Sequence, residues 1–115
     1  MPTYHTLTTQ HASLIYDRIL HYSAAKPCES IPASYITRQI QADTKQLLNF
    51  KPYRRYDVIW YMREVAVLLD IINGLQHDLK WTYESESAYQ SQKQDLAKAR
   101  GRLNRYKRRV KALSS

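Results

Sequence analysis

The stretch 58–72 is apolar around almost its whole circumference. At helical steps Val58, Met62, Val65, Leu69 and Ile72 form one stripe, and Ile59, Trp60, Tyr61, Ala66, Val67, Leu68 and Ile71 fill most of what remains. A helix with so little polar surface must be enclosed by other elements, so the rest of the chain has to wrap it. With only two glycines and four prolines in 115 residues, the chain lacks the punctuation of a loop-rich or many-stranded fold, and long helices are expected. The length suits one domain with an ordinary core.

Around that stretch the elements follow from spacing and breakers. Residues 1–8 are polar and expected to be loose. Thr8 or Thr9 can cap a first helix reaching about Ala25, with Ala12, Ile15, Ile19 and Tyr22 on one face. Pro27-Cys28-Glu29-Ser30 breaks it. Pro32 suits the first turn of a second helix, whose stripe is Ile36, Ile40 and Leu47, as far as Phe50. The third helix is expected to begin near Tyr53. Its end has two readings. Asn73-Gly74 can be a left-handed stop with Leu75 folding back on the last turn. Alternatively the helix ends near Val67 and 68–83 is a hairpin, with a strand to Ile72, a tight turn at Asn73-Gly74, and Leu79, Trp81 and Tyr83 alternating on the return. Residues 9–84 would thus form the core domain.

The last element, within 85–115, starts near Ser87, which has capping-box spacing to Gln90, and runs to about Leu113. Tyr89, Leu96, Leu103 and Val110 occupy one heptad core position and Gln92, Ala99, Tyr106 and Leu113 the other. Leu96, Leu103, Tyr106 and Val110 are the expected interaction seam. Gly101 falls on the outer face.

The charge is concentrated on this helix. Residues 93–111 carry Lys93, Lys98, Arg100, Arg102, Arg105, Lys107, Arg108, Arg109 and Lys111 against Asp95 alone, which accounts for the net charge of +8. Residues 1–92 balance to zero. A neutral body with one basic helix is suited to an anionic partner, nucleic acid first and an acidic protein surface second. Arginine dominates the end of the run, and its planar fork matches phosphate. In a parallel homodimer Arg102 would face Lys107, so a homodimer is possible but not as a tight parallel coiled coil. The conflict disappears if the helix packs on the chain's own body, pairs antiparallel, or meets an acidic partner or phosphates.

Other function classes find little support. The two glycines lie too far apart for a phosphate loop, and no base, nucleophile and orienting group come as a set, so no enzymatic activity and no cofactor are expected. Asp57 and Glu64 share a helix face, but basic neighbours make them a solvated charge network. His5, His11, His21, His77 and Cys28 show no close ligand pair, so no metal site is expected. One cysteine excludes an internal disulfide and fits a reducing compartment. No secretory signal and no run long enough to span a membrane is visible, and a cytoplasmic location is expected.

A second basic signal is Lys51-Pro52-Tyr53-Arg54-Arg55-Tyr56-Asp57-Val58-Ile59, where cations and aromatics open an otherwise buried helix. A recognition helix is built this way, its first turn on the nucleic acid and the rest in the core. The run Arg54-Arg55-Tyr56-Asp57, the apolar continuation Tyr61-Met62 and Val65-Ala66-Val67-Leu68, and the later Leu79-Lys80-Trp81 resemble the recognition helix and wing of the eukaryotic cell-cycle winged-helix factors. The family's leucine-rich dimerisation helix is similar to the segment after Ser87. The resemblance covers about thirty residues. It departs in lacking a residue between the second arginine and the tyrosine, and in a longer second-to-third helix connection. It implies base contacts from Arg54 and Arg55.

The expectation is therefore a mainly α winged-helix-type domain with a long basic C-terminal helix. Its function would be that of a small regulator of transcription or replication, of phage or mobile-element type, binding double-stranded DNA. Tyr53, Arg54 and Arg55 would read the major groove, and Arg100, Arg102, Arg105, Arg108 and Arg109 would hold the backbone. The alternative is an adaptor gripping an acidic host or phage replication, packaging or polymerase component. An RNA-binding arginine-rich helix is a third option.

Overall fold

The computed structural model describes the backbone of residues 4–52, 54–81 and 86–114, and the side chains of 8–52, 54–75 and 87–114. Four helices make up the fold, in the order α1 (Tyr4–Ala24), α2 (Ala33–Leu47), α3 (Val58–Trp81) and α4 (Glu86–Ser114). Among the described residues there is no strand. The central helix is α3, which packs against all three others, while α1 and α2 also pack on each other and α4 packs on α3 alone.

The winged-helix expectation is overturned at α3. The segment taken as a possible hairpin, 68–83, is helical through Trp81; positions 82 and 83 lie outside the described residues. Two local signals misled. Leu79, Trp81 and Tyr83 alternate, but over too short a run to outweigh the steps Ile72–Leu75–Leu79, which continue the helical period. Asn73-Gly74 is a good turn pair, yet no glycine has a positive φ and Gly74 lies inside the helix. A methyl group added at Gly74 or at Gly101 meets nothing within 4 Å. Gly74→Ala and Gly101→Ala should therefore each stabilise the fold by about 1 kcal/mol. A left-handed stop or turn at Gly74 would reverse that sign, so thermal unfolding of Gly74→Ala checks the continuous helix directly.

The helix starts also differ from expectation. The first helix begins at Tyr4, so Thr8 and Thr9 are inside it instead of capping it. The third begins at Val58, not near Tyr53. Pro32 stands immediately before α2 in extended conformation, and its carbonyl accepts from the backbone N–H groups of Tyr35 (3.0 Å) and Ile36 (3.2 Å).

The core is built from the expected stripes. Ala12, Ile15 and Ile19 of α1, Leu47 of α2, Ile59, Met62, Val65, Ala66 and Leu69 of α3, and Leu96, Leu103 and Val110 of α4 form one buried cluster. Ile36 and Ile40 are buried as well. The heptad seam of α4 is thus occupied within the chain, with Ala99 and Tyr106 half-buried against the same cluster and Leu113 exposed. Since α3 and α4 are joined by a four-residue connection, they form an antiparallel hairpin, in which the start of α3 meets the end of α4.

Polar links fix the layers. Asn73 Nδ2 donates to Thr37 Oγ1 at 2.9 Å, tying α3 to α2. Arg18 of α1 grips Asp43 of α2 with two hydrogen bonds, Nε to Oδ2 at 2.8 Å and Nη2 to Oδ1 at 2.7 Å, and reaches Gln46 Oε1 at 3.4 Å. The Asp43 side chain is 5% exposed and that of Arg18 is 50% exposed. This asymmetry predicts unequal losses. Arg18→Ala strands a buried carboxylate and should cost about 3 kcal/mol, the low end for breaking a buried pair because half the guanidinium is wet. Asp43→Ala lets Arg18 turn to water and should cost about 1 kcal/mol. Equal losses in denaturant titrations would show that the carboxylate does not depend on its partner.

Candidate nucleic-acid interface

All nine basic side chains of 93–111 are exposed, because the apolar seam of α4 is turned onto α3. They do not share one face. Lys98, Arg102, Arg105 and Arg109 recur at steps of four, three and four residues and form an outer ladder along one flank. Arg100 and Lys107 line the opposite flank, where α4 faces the α1–α2 layer, and Lys107, Arg108 and Lys111 continue it toward the C-terminus. Of the expected backbone-holding set, Arg102, Arg105 and Arg109 are therefore together, while Arg100 and Arg108 lie apart from them.

Arg54 and Arg55 are not on a helix. They lie in the turn before α3, both exposed, and Tyr53 is outside the described residues. The turn is held by Asp57. Its Oδ1 accepts from the backbone N–H of Trp60 at 2.8 Å, as an N-cap does, and its Oδ2 accepts from the backbone N–H of Arg54 at 3.1 Å. The Asp57 N–H donates back to the Arg54 carbonyl at 3.2 Å. Asp57 is thus a helix cap. Tyr56, between them, has φ of 66°, a left-handed conformation that costs a bulky residue about 1 kcal/mol.

Ring packing holds Tyr56 there and connects the turn to α4. Tyr56 meets Trp60 edge-on with centroids 4.8 Å apart, Trp60 meets Tyr61 at 5.0 Å, and Tyr61 meets Tyr106 of α4 at 5.4 Å. Cations flank this chain of rings. The Arg55 guanidinium lies 4.9 Å from the Tyr56 centroid and that of Arg109 lies 5.9 Å from Tyr61. Because Arg109 belongs to the outer ladder, this cluster brings Arg55 to the ladder's end. The aromatic cluster was not anticipated from sequence. Its signal lies in the spacing of Tyr56 to Trp60 and Tyr61, about one helical turn, but by sequence Trp60 and Tyr61 belong to the core and Tyr56 to a recognition-helix start. Tyr56 is in fact 53% exposed.

Removing the cap should loosen this arrangement. Asp57→Ala is expected to cost about 1 kcal/mol in thermal unfolding, and Asp57→Asn, which keeps an acceptor oxygen, only a few tenths.

Two grooves flank α4 on its inner side. One, of about 450 Å³, lies between α1 and the end of α4, where Tyr16 and Asp17 face Lys107, Arg108 and Lys111 over Met62. Burial, with Asp17 nearby, pushes the Tyr16 phenol up to about 12, so it stays a neutral donor. The other, of about 700 Å³, lies between α2 and α4 over Leu69 and Ile72. Cys28 is an exposed loop thiol, lowered by its contact with the Ser30 hydroxyl at 3.3 Å. Among the described residues no three His, Cys, Asp or Glu side chains gather in a way that could hold a metal ion, and no helix is long and apolar enough to cross a membrane. Comparison with protein-family models, with curated proteins and with solved structures finds no match for the chain.

Proposed function

We propose that this chain binds nucleic acid, double-stranded DNA in preference, through the outer flank of α4, and serves as a small regulator of transcription or replication of phage or mobile-element type. The observation that carries the reading is the exposure of every cation of α4 while its apolar seam is used up inside the fold. A helix whose only task was to close the core would not need a ladder of arginines on its open side.

The mode of binding differs from that of a recognition helix. Arg54 and Arg55 precede α3 instead of projecting from its first turn, so major-groove reading by a helix start has no structural basis here. Instead Lys98, Arg102, Arg105 and Arg109, with Arg55 at one end, make a line of cations suited to phosphates. Tyr56 offers an exposed ring beside them. Phosphate contacts position a protein without reading sequence, so the expected binding is largely sequence-independent.

Fluorescence anisotropy with a labelled random-sequence duplex, across a salt series, tests this. Five phosphate contacts predict micromolar binding and a slope of log affinity against log salt of roughly −4 to −5. A flat salt dependence, or no binding at low salt, would sink the reading.

A further inference from the structure

We propose that the cleft between the α1–α2 layer and α4 is a docking groove for an acidic amphipathic helix of a partner protein. It lies on the opposite flank of α4 from the arginine ladder and stands independently of the nucleic-acid reading. The cleft exists because α4 packs on α3 alone and makes no close backbone approach to α1 or α2. The two grooves lie end to end along α4 and meet at Lys107, which lines both. Taken together they border α4 from Arg100 to Ser114, about 20 Å at helical rise, a channel matched to between three and four turns of an incoming helix.

The lining defines the occupant. Between α2 and α4 the floor is the outer edge of the core, Ile36, Ile40, Leu69, Ile72 and Leu103, each less than a tenth exposed. The α4 wall carries Arg100, Lys107, Arg108 and Lys111, and the whole channel contains one acid, Asp17. An apolar floor rejects a phosphate backbone, and a channel of this length exceeds what a compact small molecule would fill. An amphipathic helix satisfies both halves. Its apolar residues at i, i+3, i+4 and i+7 lie on the isoleucine and leucine floor, and acidic residues along one edge pair with the α4 wall. The asymmetry of the walls also fixes its rotation, since the α2 side of the channel offers small and neutral groups, Ala33 and Thr37 among them.

The test uses the full chain, with isotope-labelled methyl groups, and a synthetic helix of about 18 residues carrying leucines at that spacing and glutamates on one edge. Saturable shifts of the Ile36, Ile40, Leu69 and Ile72 methyl signals are expected, with micromolar affinity by anisotropy. Arg100→Glu/Lys107→Glu should weaken the peptide about tenfold or more. Arg38→Glu/Lys45→Glu, which reverses two exposed cations on α2 outside the channel, should change it less than about twofold. All four side chains are exposed, so the variants should remain folded, and circular dichroism verifies this. A peptide of the same composition in scrambled order that binds equally well would overturn the proposal, as would equal losses in the two double variants. Absence of methyl shifts would also overturn it. So would shifts produced by decanoate alone and not by the peptide, which would assign the channel to a small amphiphile.

Discussion

Leu103→Asp is expected to release α4 from the body and abolish the cooperative fold. Leu103 is buried in the seam between α3 and α4, and α3 is the one helix whose backbone α4 closely approaches among the described residues. The substitution removes a leucine from the core, worth about 2–5 kcal/mol when truncated to alanine, and places an unpaired charge in the gap. Together these match or exceed the stability of a typical small domain. An isolated α4 would not survive on propensity, because Gly101 interrupts it and most helical stability comes from packing. Limited trypsin digestion makes the outcome visible. The nine cations of 93–111 are candidate cleavage sites that a packed helix protects, so the variant should be cut there rapidly while wild type is not. Leu103→Ala should fall between them, losing about 2–3 kcal/mol while keeping its transition. If Leu103→Asp melts like wild type, the seam does not hold α4 to α3 in solution.

The parts of the fold that were legible in the sequence are those set by strong periodicity. The spacing of Ala12, Ile15 and Ile19 and the heptads through Leu96, Leu103 and Val110 name core residues that the structure buries. Pro27 and Pro32 mark the break between α1 and α2. What local signals could not decide was the course of the chain after Val67. A hairpin and a helix both fit Asn73-Gly74 and the alternation behind it. The choice depends on α4 returning along α3 and covering it, which is a tertiary matter. The start of α3 was misplaced for a related reason. Arg54-Arg55-Tyr56 has ordinary helix propensity, but Asp57 competes as an N-cap and starts the helix one residue later, leaving the arginines in the turn.

The site was legible as composition and not as geometry. The concentration of charge on one helix could be counted, but its division into two flanks needed the direction of the seam. Residue contacts such as Arg18 with Asp43, or Tyr61 with Tyr106 and Arg109, join segments distant in sequence, and no spacing rule reaches them.

That division gives the second large effect. Arg102→Gln/Arg105→Gln/Arg109→Gln should weaken duplex DNA binding on the order of 100-fold and make the salt slope shallower by roughly 3, one contact for each arginine. Glutamine preserves helix propensity and all three positions are exposed, so the loss of stability should stay within about 1 kcal/mol, most of it from the contact of Arg109 with Tyr61. The decisive comparison is Arg100→Gln/Lys107→Gln/Lys111→Gln, which removes the same charge from the inner flank. If attraction depended on net charge alone, the two triple variants would lose equal affinity. At 0.15 M salt the screening length is about 8 Å, shorter than the roughly 10 Å width of a helix with its side chains. Charges on the inner flank then contribute little to a duplex lying on the outer one, and that variant should lose less than about threefold. The contrast should shrink as salt is lowered, because a longer screening length lets both flanks act on the same phosphates. Equal losses at 0.15 M would mean that the duplex does not distinguish the faces of α4, and the ladder would have no special part in binding.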